Sequence, residues 1–524
     1  MRSSLVSTKD QTPAEPSIEP ACPVAELDAA SRRRRGKNRN MKSPSARSVA
    51  PRAVAWVIAA ATVGVSAEAA AQDQLWLRDR RYTEGAGIRI GNFELHPGVA
   101  AEVGYDSNYL RRADANNPAG SVRIRVTPSL SLSTLGPQRT QGVPNTPPPD
   151  VEFRATAALT YNEFIGVNGA DPSVVANLGN QRNISGNLDL NLNILPRREW
   201  SGSLYAGIGR AVQPNEQGAF DQFQGAFDRL LTRAGGEIVW APGAGLLDWR
   251  LGYRFSGTLF EQEVFRTAPP TTQEGVTGLT NLEHTVQMRG RWRFLPRTAI
   301  LFDLRQSFIN YVNYPGPIGN GYKTSSHPFR AQIGVNGLIT PSFGILAMGG
   351  WGASFYDPRG ATNDFDSFIG QAEVKWFITP NPSSDPAAAS LSVSSVSVGF
   401  IRDFSDSLIG SYVERNRAYA NLTYFFGGRV LVALDGGVGP AVYPALDRFR
   451  GVDQNLPGWT DIRWDASLFG EYRLKDYFGI NAMLRYSGNA SPTSLTYQDN
   501  DGTQISDPLQ WQTFEAYLGA RFLM

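Results

Sequence analysis

The chain has 524 residues and a formal net charge of +2, so no strong field points to a nucleic-acid partner. Its mean hydropathy is −0.28, and no apolar run of about 18 residues follows residue 71, which excludes a helical membrane span there. Gly (53), Phe (27), Tyr (19) and Trp (11) are abundant, a mixture that suits small strand residues and aromatic girdles.

Residues 1–40 are Pro- and Arg-rich and read as an upstream extension before a start at Met41. The run Arg32–Arg35 has no context that would make it a nucleic-acid patch or a twin-arginine signal. Residues 41–71 read as a secretory signal peptide. Lys42, Arg47 and Arg52 form a basic start, Ala53–Val65 an apolar run, and Ala69-Ala70-Ala71 a cleavage site before Gln72. Cys22 precedes that site, so the mature chain would carry no thiol, as suits an oxidising compartment. Residues 72–90 are expected to form a short periplasmic segment, too short for a plug domain.

From residue 91 to 524 one unit recurs: an alternating strand, a short turn, a second strand and a longer polar link. Val122, Ile124, Val126, Leu130 and Leu132 alternate with Arg123, Arg125, Thr127, Ser129 and Ser131. Leu282, Val286, Met288, Trp292 and Phe294 alternate with Glu283, Thr285, Gln287, Arg289, Arg291 and Arg293. Ile462, Trp464, Leu468, Tyr472 and Leu474 alternate with Asp461, Arg463, Asp465, Ser467, Glu471 and Arg473. Such runs exceed the usual 5 or 6 residues of a soluble strand and reach the roughly 9–11 that a tilted membrane crossing needs. The short links centre on residues 195–197, 241–243, 295–297, 340–342, 426–428 and 475–477. Two periplasmic links are longer, Gly136–Asp150 and Pro380–Ser390. Outer links run near Gly166–Gln181, Ala211–Arg229, Gln262–Asn281, Tyr314–His327, Gly439–Trp459 and Ser487–Asp507.

The final stretch, Trp511–Met524, puts Phe514, Ala516, Leu518, Ala520, Phe522 and Met524 on one face, and Thr513, Glu515, Tyr517, Gly519 and Arg521 on the other, with Leu523 out of step. A terminal strand that meets the first strand closes the sheet and removes both edges, which lipid makes compulsory. The fold class is therefore all-β: a transmembrane antiparallel up-and-down barrel of about 18 strands, with 16 the alternative. A soluble sandwich is the competing architecture, and strand length argues against it. The ending also resembles the assembly signal of bacterial outer-membrane barrels at Tyr517, Gly519, Phe522 and Met524, the Met replacing an aromatic. That resemblance implies the outer-membrane barrel assembly machinery and outer-membrane lipid as partners.

The inward faces carry Arg123, Arg125, Arg250, Arg254, Arg289, Arg291, Arg293, Arg305, Arg463, Arg473 and Arg521 against acids that include Asp303, Asp465, Glu471 and Glu515. Dry burial of so many ions would cost several kcal/mol each, so the lumen is expected to be wet or closely ion-paired. Gly218-Ala219-Phe220-Asp221 recurs as Gly225-Ala226-Phe227-Asp228, and Phe220, Phe223, Phe227 and Leu231 fall near one helical face. Those phenylalanines are candidates for an inward constriction helix, with a helix on the outer rim as the alternative. His96, His284 and His327 have no metal-ligand spacing, Asp499-Asn500-Asp501-Gly502 reads as a loop tip rather than a calcium loop, and neither an enzyme nor a cofactor is expected.

The opening, Phe93-Glu94-Leu95-His96-Pro97-Gly98 followed by Gly104-Tyr105-Asp106-Ser107-Asn108, resembles that of the outer-membrane porins called β-barrel porin 2. Some relatives of this kind, in myxobacteria, are described as 18-stranded exopolysaccharide-export barrels. The resemblance implies a conduit for exopolysaccharide or capsule polymer working with periplasmic polysaccharide-export proteins. A general or anion-leaning diffusion porin is the other reading, and the oligomeric state stays open.

Overall fold

In the computed structural model the described residues are 87–134, 150–167, 169, 172–179, 182–196, 198–213, 227–260, 280–312, 324–357, 363–378, 394–407, 409–449, 452–498 and 504–524. Eighteen long strands close into one antiparallel barrel. They are β1 (Phe93–Asp106), β2 (Gly120–Thr134), β3 (Val151–Val167), β4 (Asn183–Ile194), β5 (Trp200–Gln213), β6 (Phe227–Trp240), β7 (Leu247–Phe260), β8 (Asn281–Leu295) and β9 (Thr298–Tyr311). The circuit continues through β10 (Ser325–Thr340), β11 (Phe343–Asp357), β12 (Phe365–Phe377), β13 (Ser395–Asp406), β14 (Tyr412–Phe426), β15 (Val430–Tyr443), β16 (Trp459–Lys475), β17 (Phe478–Ala490) and β18 (Trp511–Leu523). Each pairs with its sequence neighbours, and β18 pairs with β1 from Gly98↔Leu523 to Asp106↔Glu515. A short strand, Ile88–Ile90, folds back on Phe93–Leu95 beside that seam.

The alternation of the sequence explains both wall faces. Val99, Leu130, Leu159, Leu204, Leu251, Ile333, Val374, Leu434, Leu468 and Leu518 all stay exposed, an outward apolar belt that water would not tolerate and lipid does. Aromatic pairs mark its edges: Trp200 on Trp240 and Phe343 on Trp376 at the short-turn end, Trp464 beside Tyr486 towards the other. The inward residues are mostly small, polar or charged, with apolar patches such as Leu431, Phe469 and Met483, and Leu301, Leu346 and Met348, among them.

The short turns fall where Pro and Gly punctuate the sequence. At Phe426–Arg429 both central residues, Gly427 (φ 53°) and Gly428 (φ 72°), take left-handed backbone, and Arg429 N–H donates to the Phe426 carbonyl at 3.0 Å. Only glycine adopts that type I′ geometry twice at little cost. Leu523, out of step in the sequence, turns inward and fills the space that Gly98 leaves by lacking a side chain.

Several boundaries differ from the sequence reading. Phe227 and Leu231 lie in β6, paired opposite Gln213 and Gly209, so they belong to no loop helix; Phe220 and Phe223 fall outside the described residues. The strand pattern won because Arg229, Leu231 and Arg233 share one face of an extended run. Strands continue past the expected loop starts at Ala211, Gly439 and Ser487, to Gln213, Tyr443 and Ala490. Links 135–149 and 379–393 and the 499–502 tip also lie outside the described residues.

Candidate functional site

Among the described residues charge is concentrated on the inner wall, and register decides its partners. On β6 to β9 it carries an arginine-rich stripe. Arg250 stands directly opposite Arg289, a repulsive placement relieved by Glu237, which meets both guanidiniums. Asp248 does the same for Arg250 (2.8 Å) and Arg291 (2.9 Å). Arg233 pairs with Asp189 at 2.5 Å, and Arg254 with Glu283 at 3.4 Å. Arg293 continues the stripe on the same face towards the short-turn end.

The seam side is tighter. Arg125 pairs with Glu102 at 3.0 Å and lies 3.9 Å from the centre of the Tyr517 ring. Arg123 donates to Tyr517 Oη at 2.7 Å and stands 3.5 Å from Asp106 and 3.9 Å from Glu515. Glu471 receives Arg521 at 2.6 Å and Arg473 at 2.9 Å, with Arg521 and Glu471 each only 1% exposed. Further round, Arg417 joins Asp465 (2.7 Å) and Asp435 (3.6 Å), and Arg463 donates to Tyr443 and Asn489. In the last strand Tyr517 and Gly519 thus face the lumen, while Phe522 and Met524 face lipid.

The end with long links is the outer mouth, because bacterial barrels keep their short turns periplasmic. Two structures lean into it. The helix α1 (Pro172–Gly179) sets Leu178 and Val175 against Phe164, Tyr109, Leu110 and Ala119, inside the mouth above β1–β3. Across from it, β13 pairs with β12 only as far as Arg402, then bends inward with the start of β14. The tip so formed, described over 403–407 and 409–413, docks on the inner faces of β9–β12. Tyr311 donates to Asp406 at 2.7 Å, Ser326 donates to Asp406 at 3.1 Å, and Tyr356 donates to the Ser411 carbonyl at 2.9 Å. Arg330 pairs with Asp403 at 3.0 Å and lies 4.1 Å from the Phe404 ring centre, while Phe404 stacks on Phe365 at 4.1 Å. Gly352 makes the room, since a Cβ there would lie 2.6 Å from Phe404 Cε1.

The sequence reading had named the inward arginines but not Asp248, Glu283, Asp403 or Glu102 as their partners, nor Arg330 and Arg417. The sequence points instead to Phe220, Phe223 and Phe227 for the narrowing element. A signal for the tip is the break in alternation at Ile401 and Arg402, where apolar and charged positions exchange before Phe404 resumes the apolar parity. His284 accepts or donates at 2.7 Å with Tyr253 and packs on Phe255 on the outer surface, as a girdle residue does.

The closed barrel, its lipid-exposed apolar belt and its charged interior place the chain in the bacterial outer membrane. No family model matches the chain, and no curated protein matches it. Among solved structures its fold is similar to that of Acinetobacter baumannii OccAB4, at 10% identity and TM-score 0.39, over 82% of this chain and 98% of that one. A bacterial polysaccharide outer membrane secretin matches at 10% identity and TM-score 0.30, over 83% and 99% of the two chains. The FrpB iron transporter of Neisseria meningitidis matches at 8% identity and TM-score 0.38, over 82% and 81%. At these levels none of them assigns a function to this chain.

Proposed function

We propose that the barrel is an outer-membrane channel for small charged solutes, leaning towards anions and narrowed at its outer mouth by the β13–β14 tip. The observation that carries this reading is an imbalance of exposure on β6–β8. The side chains of Arg250, Arg254, Arg289 and Arg291 are 23–28% exposed, whereas Glu237 and Asp248 are 15% and 8% exposed, with Glu283 the exception at 25%. The wall therefore offers solutes more guanidinium than carboxylate, and low-dielectric walls focus such a field. The test is the reversal potential in planar bilayers under a KCl gradient. Anion preference supports the reading, and cation preference overturns it.

Export of exopolysaccharide or capsule polymer is the second reading. It is supported by the likeness of the Phe93–Gly98 and Gly104–Asn108 stretches to the opening of β-barrel porin 2 proteins, and it would bring in periplasmic export partners. The inward tip counts against an unobstructed polymer path. Uptake of acidic oligosaccharides into proteoliposomes, raised on removal of residues 403–413, would favour it over the porin reading.

A further inference from the structure

Arg305 on β9 and Arg330 on β10 stand directly opposite each other at the top of the arginine stripe, beneath the docked tip. Two like charges in register repel unless anions sit between them. The anions nearby are shared unevenly. Asp303, on the same strand as Arg305, accepts from Gln287 at 3.0 Å and keeps 3.8 Å from Arg305. Arg305 Nε is buried and has no hydrogen-bond partner among the described residues. Arg330 is better served, but by a residue of the tip: Asp403 at 3.0 Å, with the Phe404 carbonyl at 2.5 Å. Thus one guanidinium has an unmade bond, and the other holds a carboxylate delivered by a hairpin that has left its own sheet partner.

We propose that Arg305 and Arg330 form a binding site for small carboxylates inside the outer mouth, and that Asp403 is its built-in competitor. An incoming carboxylate contests Arg330 with Asp403 and, as the tip shifts, reaches the buried Arg305 Nε–H. Its arrival loosens the tip, which remains tied by Tyr311, Ser326 and Tyr356. A planar guanidinium pair matches carboxylate geometry well. The inference rests on the anion-leaning reading, which it deepens by naming the solute class.

The test uses malonate and the purified full-length barrel in detergent, with binding followed by calorimetry. Asp403→Asn removes the competitor and should tighten malonate binding about tenfold, the scale of one hydrogen bond to a charged group. Arg305→Gln should weaken it by a similar factor. Heat modifiability on gels reports folding, and Lys375→Gln, remote from the pair, controls for lost charge. Unchanged affinity in both folded variants, or no malonate binding in the wild type, overturns the site. Conductance is recorded separately, so a barrel that binds malonate without conducting refutes the channel and leaves the site standing.

Discussion

Arg123 on β2 donates a 2.7 Å hydrogen bond to Tyr517 on β18, so the second and last strands are joined over the top of the first. Asp106, on the strand between them, lies 3.5 Å from the same guanidinium and accepts a 2.9 Å bond from Thr513. The seam that converts a sheet into a barrel is therefore held by side chains as well as by the backbone ladder.

Arg123→Ala should lose about 3–5 kcal/mol, because it leaves Asp106 buried without its cation, beside a Glu515 that keeps only its 3.8 Å pairing with Arg485. Tyr517→Phe removes two bonds to charged groups, the one accepted from Arg123 and a 3.3 Å donation to Glu515, and should cost at least about 1.5–3 kcal/mol. Urea unfolding in detergent micelles orders the two variants. Equal stability of Arg123→Ala and the wild type would show that the seam does not depend on this contact.

The two wall faces respond oppositely to charge. Leu468 is 41% exposed to lipid, and Leu468→Arg should cost about 2–4 kcal/mol near the midplane. Ser467 faces inward opposite Asp435, and Ser467→Arg should assemble. Similar yields of folded barrel for both variants would refute the assignment of faces.

Selectivity should follow the stripe on β6–β9. Arg254→Gln together with Arg289→Gln should move the reversal potential towards cations, and Glu237→Gln should move it the other way. Added salt should weaken the preference as the screening length falls to about 8–10 Å near physiological strength. Replacing Arg289, Arg291 and Arg293 by Glu is a poorer probe: Glu237 and Asp248 already face the first two, so reversal sets acid against acid.

Gly352→Ala should dislodge the tip, because the new methyl meets both Phe404 and Ile369 Cγ2 at 2.9 Å or less. The expected result is faster cleavage within residues 403–413 by external protease, with heat modifiability retained. An unchanged cleavage rate would mean that Phe404 shifts in place and the tip holds.

The strand ladder was legible because lipid enforces alternation on every long strand, and Val122–Leu132 or Ile462–Leu474 show it without ambiguity. Strand identity near Ile345 and Val396 was harder: Gly349, Gly350 and Gly352 dilute one pattern, and Ser395, Ser397 and Gly399 the other. The ion pairs were not legible. Arg289 meets Glu237 across an intervening strand, and a contact of that range depends on registers that no single strand encodes. The tip was least legible, since its inward bend depends on room left by Gly352, two strands away on β11.

The strands run from 12 to 17 residues, whereas the apolar band of such barrels is about 25 Å tall. A 14-residue strand such as β9, at about 3.3 Å per residue and a tilt near 40°, rises roughly 35 Å. The surplus forms a collar standing clear of the hydrocarbon, and the mouth-side residues Tyr311, Ser326, Tyr356 and Asp406 belong to it. Rearrangement of the tip therefore takes place at the height of the sugar headgroups, where no ion has to pass oil, and bilayer thickness should leave it untouched.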